Sequence, residues 1–126
     1  MVIFLCDFHH KDDREFELFP PNCIEGTEGA DIIDELPVGK KDLVIKKTRY
    51  RGFYETELDT VLKGNLIYKV EVVADCTSIC VMDTVGGLRD RDYRVKVYRS
   101  GVADFDLQFH HFSLKRMEKA YGARII

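Results

Sequence analysis

Short apolar runs alternate along this chain with segments of helical period, and that alternation is what most limits its fold. Val2–Cys6, Leu43–Lys46, Val70–Ala74 and Arg94–Tyr98 read as strands, and Arg124–Ile126 as a short terminal one. Between them Asp31–Leu36, Thr56–Leu62, Ile79–Asp90 and Leu107–Tyr121 read as helices. Pro37 stops the first, Gly64 the second and Gly122 the last. In the third, Ile79, Met82, Val85 and Leu88 fall on one side. Strands alternating with helices build right-handed βαβ units, so the expected class is α/β with a parallel sheet flanked by helices. Such sheets place their sites beyond the carboxyl ends of the strands. Asp7, Lys47 and the loop Asp75–Cys80 directly follow strand ends, so three reactive segments are expected at one edge.

The length of 126 residues suits a single domain spanning 1–126, and 45% hydrophobic residues are enough for a real core. A net charge of -3 argues against nucleic acid as a partner. The basic cluster Lys40, Lys41, Lys46, Lys47, Arg49 and Arg51 reads as a solvated face. No apolar run nears the ~20 residues of a membrane span, and the apolar start lacks the basic flank of a signal peptide. Four cysteines, Cys6, Cys23, Cys76 and Cys80, are too few for a disulfide scaffold and read as reduced thiols of a cytoplasmic protein. Cys76 and Cys80 have no second Cys/His pair to complete a zinc site.

The segment Asp75-Cys76-Thr77-Ser78-Ile79-Cys80-Val81 carries the chemistry. It joins a strand to a helix, and a cysteine at a helix start gains thiolate character from the unpaired N–H groups and the dipole. The thiolate is the nucleophile, so this is a place for covalent catalysis. Lys47 adds a positive charge at another strand end. The competing reading of a free cysteine is a small buried hydrophobe. Gly86-Gly87 lies within the following helix, where each glycine costs about 1 kcal/mol relative to alanine.

Four stretches carry a family resemblance: Phe4-Leu-Cys-Asp-Phe-His9, Phe19-Pro-Pro-Asn-Cys-Ile-Glu-Gly-Thr-Glu-Gly29, Lys47-Thr-Arg-Tyr-Arg-Gly-Phe-Tyr-Glu-Thr-Glu-Leu58 and Val73-Ala-Asp-Cys-Thr-Ser-Ile-Cys-Val81. On these the chain resembles the isochorismatase-like cysteine hydrolases, and within them the nicotinamidase/pyrazinamidase branch. The resemblance implies a three-layer, Rossmann-like parallel sheet of order 3-2-1-4-5-6 flanked by helices. It places the nucleophile at Cys80 and the catalytic lysine at Lys47. It also implies a non-proline cis peptide at Asp75–Cys76 and an oxyanion hole from the N–H groups of Cys76 and Cys80. Phe53 falls where the family has an aromatic wall beside the substrate. Asp7 and His9 match the branch's metal-binding Asp-x-His, which would hold zinc or iron; no organic cofactor is implied. Glu15 is a further candidate ligand, whereas His10, His110 and His111 lack motif support and are expected at the surface.

The departures set the functional expectation. The family's first strand, which carries a catalytic aspartate, and its helix have no counterpart in residues 1–126. Asn22 stands at a metal-histidine position, Ala74-Asp75 replaces Gly-Val, and Arg51 replaces a serine. The expectation is a nicotinamidase-like amidohydrolase acting through a Cys80 thioester on a small heteroaromatic carboxamide, impaired in this truncated chain. Removing a central strand would leave a gap of roughly 10 Å between its neighbours, so a homo-oligomer joined through the Val2–Cys6 region is expected. The alternative is a non-catalytic protein of the same fold that acts by self-association or partner binding. A third is an incomplete gene product lacking about 45 residues.

Overall fold

The computed structural model describes residues 1–126. The chain is α/β with parallel strands, and it divides into two compact units. The first comprises Met1–Arg49 with Tyr54–Glu57, and the second Tyr50–Phe53 with Leu58–Ile126.

In the first unit, β1 (Ile3–Asp7) pairs in parallel with β2 (Leu43–Lys47), from Ile3 beside Leu43 to Asp7 beside Lys47. The pairing continues past β1, where the Phe8 N–H donates to the Lys47 carbonyl and His9 bridges to Ile24. Ile45, His9 and Lys47 are buried here. The expected helix over Asp31–Leu36 is not formed; only a 3-10 turn at Glu28–Ala30 and one further turn to Leu36 occur. A helix of six residues needs an apolar face to bury. Ile33 and Leu36 are instead 60% and 53% exposed.

In the second unit, β3 (Lys69–Asp75), β4 (Arg94–Ala103) and β5 (Arg124–Ile125) form a parallel sheet with β4 in the middle. Three helices accompany them: α1 (Leu58–Gly64), α2 (Met82–Arg89) and α3 (Leu107–Lys119). The two observed sheets hold the pairings that remain when the first strand is taken out of the order 3-2-1-4-5-6. β3 and β4 carry three valines each, and Val95, Val97 and Val102 of β4 are buried. Asp106 caps α3 by accepting from the N–H groups of Gln108 and Phe109. Gly122, at φ +66°, lets the chain turn from α3 into β5.

Two departures from the sequence expectation have clear causes. β4 runs to Ala103, five residues beyond Tyr98, through a register shift opposite Val72–Ala74. Gly101 makes this possible: a methyl placed on it would sit 2.5 Å from Val73 Cγ1. The helical segment after Cys76 begins as a π-helical turn, Thr77–Val81, with the Val81 N–H donating to the Cys76 carbonyl. That extra residue shifts the phase of α2, so Val81, Thr84, Val85 and Leu88 are buried while Ile79 and Met82 are only half-buried.

The close approach of Gly101 to Val73 leads to a double-variant prediction. Gly101→Ala should destabilise the chain by about 1–3 kcal/mol through overpacking. Adding Val73→Ala should recover most of that loss, as read from urea unfolding of the single and double variants.

Candidate active site

Asp7 and Lys47 end strands, and Cys80 lies on the turn that follows β3. In the first unit, Asp7 and Lys47 close β1 and β2 as register partners, and the Lys47 ammonium donates to Asp7 Oδ1. Lys47 Nζ also donates to the Arg49 carbonyl at 3.1 Å. The lysine side chain is only 5% exposed and that of Asp7 30%. A buried ammonium needs such oxygen partners, because desolvation disfavours its charged form.

His9, two residues on, is fully buried. Its Nδ1 lies 3.2 Å from Asp13 Oδ2, and its Nε2 lies 3.8 Å from Glu15 Oε1. Asp13 also accepts from the Arg49 guanidinium at 3.0 Å and from the Glu15 N–H at 2.9 Å. The Glu15 N–H bond, aided by those from His9 and Arg49, holds the Asp13 carboxyl down to about 2. Burial pushes the Glu15 carboxyl up, against the pull of His9. The Cys6 thiol is likewise pushed up by burial, which disfavours it as a nucleophile at neutral pH.

These residues do not compose a complete metal site. His9 Nε2 and Glu15 Oε2 are buried without hydrogen-bond partners, which suits a metal donor pair. Asp7, however, is bound to Lys47, and Asn22 is exposed, with its amide donating to the Pro20 carbonyl at 2.9 Å. No group of three or more His, Cys, Asp or Glu side chains is arranged to hold an ion. The structure thus brings Asp7, His9 and Glu15 near one another, while the Asn22 amide is engaged with the Pro20 carbonyl.

In the second unit, β3 ends at Asp75, the Asp75–Cys76 peptide is cis, and the π-helical turn carries Cys80 into α2. Cys76 and Cys80 are half-buried, and no disulfide involves any of the four cysteines. Cys76 caps the turn, its carbonyl accepting from Ile79 and Val81 at 3.2 Å each. Thr77 is fully buried, and its hydroxyl donates to the Ala103 carbonyl at 2.8 Å. The Ser78 N–H donates to Asp104 Oδ2 at 2.6 Å. Burial alone would raise the Asp104 carboxyl, but the bonds from Ser78 and Asp106 and the nearby His110 hold it below the usual range.

Phe53 belongs to a segment docked along α2. Arg51 pairs with Asp83 at 3.5 Å, the Gly52 N–H donates to Thr84 Oγ1 at 3.0 Å, and Arg91 lies over the Phe53 ring at 4.1 Å. A methyl on Gly87 would meet Phe53 Cδ2 at 2.8 Å, so that glycine makes room for the ring. His10 and His111 are exposed as expected. His110 is not: it is half-buried, with Nδ1 2.9 Å from Thr77 Oγ1. Sequence reasoning missed His110, Asp104 and Asp13; only the i, i+4 spacing of His9 and Asp13 was a usable signal.

Two predictions follow from the first unit's charges. Asp7→Asn should cost about 1.5–3 kcal/mol, the range for losing a charged hydrogen-bond partner, in urea unfolding. Asp13 has a depressed pKa in the folded chain, so the stability it contributes is complete above its ordinary value of about 3.9. That contribution is lost as pH falls toward about 2. Asp13→Asn should therefore be less stable than the parent at neutral pH, with the difference shrinking across that acid window in pH-dependent unfolding.

Comparison with known proteins places this geometry. The model of the isochorismatase domain matches residues 1–126. An uncharacterized isochorismatase family protein, PncA, of Bacillus subtilis is 31% identical over 98% of this chain and 73% of its own length. The crystal structure of nicotinamidase/pyrazinamidase PncA from Bacillus subtilis superposes with a TM-score of 0.92 at 30% identity, covering 98% and 73% of the two chains. That of N-carbamoylsarcosine amidase from Thermoplasma acidophilum gives 0.89 at 31%, covering 98% and 70%. With a family match over every residue and this degree of identity along nearly the whole length, the chain belongs to the isochorismatase family.

Proposed function

We propose that the chain is an amidohydrolase that cleaves a small heteroaromatic carboxamide, such as nicotinamide, through a thioester on Cys80. The observation that carries this reading is the position of Cys80, half-buried on the turn that links the carboxyl end of β3 to the start of α2. The aligned N–H groups of a helix start favour a thiolate there. Similar proteins include a nicotinamidase/pyrazinamidase and an N-carbamoylsarcosine amidase, which supports an amide as substrate.

In this reading the Cys80 thiolate attacks the carboxamide carbon, forming the C–S bond and moving the C=O pair onto oxygen. The N–H groups of Cys76 and Cys80 are assigned to that oxyanion. Collapse breaks the C–N bond as the nitrogen takes back, through solvent, the proton that the thiol gave up, and leaves as ammonia. Water then adds to the thioester carbon, and its cleavage yields the carboxylic acid and restores the thiol. Lys47 is assigned the family's lysine role and Phe53 the aromatic wall. No step is routed through a metal, since Asp7 is committed to Lys47 and the Asn22 amide to the Pro20 carbonyl. Residues 1–126 offer no counterpart to the family's aspartate, so their turnover is expected about 10²–10⁴-fold below that of an intact site.

A second reading, self-association without catalysis, is favoured by Phe105, Leu107, Phe109 and Phe112, four large apolar side chains exposed around the start of α3. Ammonia release from nicotinamide separates the two. The chain should exceed its Cys80→Ala variant by at least about tenfold, the least expected for loss of a covalent nucleophile. Equal rates, with a dimer or larger species in light scattering, would select the second reading.

A further inference from the structure

The turn that carries Cys80 is held from outside by three hydrogen bonds, and one comes from a residue no motif marks. Thr77 Oγ1 lies 2.8 Å from the Ala103 carbonyl and 2.9 Å from His110 Nδ1. A carbonyl can only accept, so the single hydroxyl proton of Thr77 goes to Ala103. Thr77 must therefore accept from His110, which fixes the imidazole with its proton on Nδ1. Thr77 is completely buried, so losing either partner would leave a polar atom without water to replace it. The Ser78 N–H, bound to Asp104 Oδ2, adds the third tie. His110 is itself placed by the first turn of α3, where its N–H donates to the Asp106 carbonyl at 2.9 Å.

We propose that His110 is a positioning residue: by donating Nδ1–H to Thr77 it locks the turn Thr77–Val81 against the β4–α3 connection and so sets the reactivity of Cys80. The consequence for Cys80 rests on the reading of that residue as the nucleophile; the locking of the turn does not. Within the turn the Ile79 and Val81 N–H groups both bond to the Cys76 carbonyl. When the outer tie is cut these two bonds should open more often, and Cys80 should lose the aligned helix start that favours its thiolate.

The test compares the parent with His110→Phe, which keeps a ring but no donor, and His110→Asn, whose amide nitrogen takes the place of Nδ1. Amide hydrogen exchange at Ile79 and Val81 is measured alongside the iodoacetamide alkylation rate of Cys80, read by mass spectrometry of its peptide. His110→Phe should speed exchange and slow alkylation by about tenfold each, the scale of one lost hydrogen bond. His110→Asn should stay within about threefold of the parent, a rescue that mere packing of the ring would not produce. Thr77→Val, which cuts the ties to both Ala103 and His110, should be at least as impaired as His110→Phe, and the double variant should be no worse than Thr77→Val alone. Unchanged exchange in His110→Phe, an Asn variant as impaired as Phe, or additive effects in the double variant would overturn the proposal. Should Cys80 of the parent react no faster than in the urea-unfolded chain, the nucleophile reading fails, and the exchange rates alone decide the positioning role.

Discussion

The π-helical turn after β3 is the constraint on which the second unit depends. One additional residue between Cys76 and Val81 rotates everything that follows, and the Cys76 carbonyl collects two N–H groups to close it. With that phase, Thr77 and Val81 point into the core and Thr84, Val85 and Leu88 continue the buried stripe. The same phase presents Asp83, Thr84 and Gly87 to the segment Tyr50–Phe53, which attaches through an ion pair, an N–H bond and a ring contact. A regular α-helix from Ile79 would have buried Met82 and Ile79 and offered a different face to that segment. Cys80 inherits its half-exposed position from the burial of its neighbours Thr77 and Val81.

The first unit meets the opposite problem, polar side chains in its interior. Lys47 and His9 are buried, as Ile45 is. Each is held by oxygen: Lys47 by Asp7 and the Arg49 carbonyl, His9 by Asp13. Asp13 uses both carboxylate oxygens, on Arg49, His9 and the Glu15 N–H, close to the capacity of a carboxylate. The arrangement has a chemical consequence. A carboxylate that neutralises a buried ammonium is poorly available to a metal ion, so Asp7 trades one role for the other.

What could be read from the sequence divides along physical lines. Strand positions and α3 were legible because burial imposes period 2 on the start of β4 and period 3.6 on α3, and because Gly122 marks the end of that helix. The Asp31–Leu36 helix failed because spacing alone does not supply a surface to pack on. β4 extends past Tyr98 because of a register shift in which Gly101 serves the close approach of Val73, and nothing local in the sequence announces that shift. The phase of α2 was illegible, since nothing local distinguishes a π turn from an α turn. Of the candidate site, the strand-end positions of Asp7, Lys47 and Cys80 were legible. The roles of Asp13, Asp104 and His110 were not, because each is defined by a partner distant in sequence or by a turn the sequence does not reveal.

The glycine pair in α2 bears on whether the family's chemistry has decayed. By propensity alone Gly86-Gly87 looks like relaxed selection, a helix weakened by about 2 kcal/mol against two alanines. Both positions are in fact occupied by contact. A methyl on Gly86 would lie 3.4 Å from the Tyr121 ring, and one on Gly87 would collide with Phe53. The propensity cost is thus exchanged for the docking of two aromatic rings, one of them in the segment that also ties Arg51 and Gly52 to α2. Arg51 likewise ceases to be a sign of loss, since it has acquired a partner in Asp83. Among residues 1–126 the departure that still bears on chemistry is Asn22, which concerns metal binding rather than the thiol. The turn that presents Cys80 keeps its bonds to Ala103, His110 and Asp104.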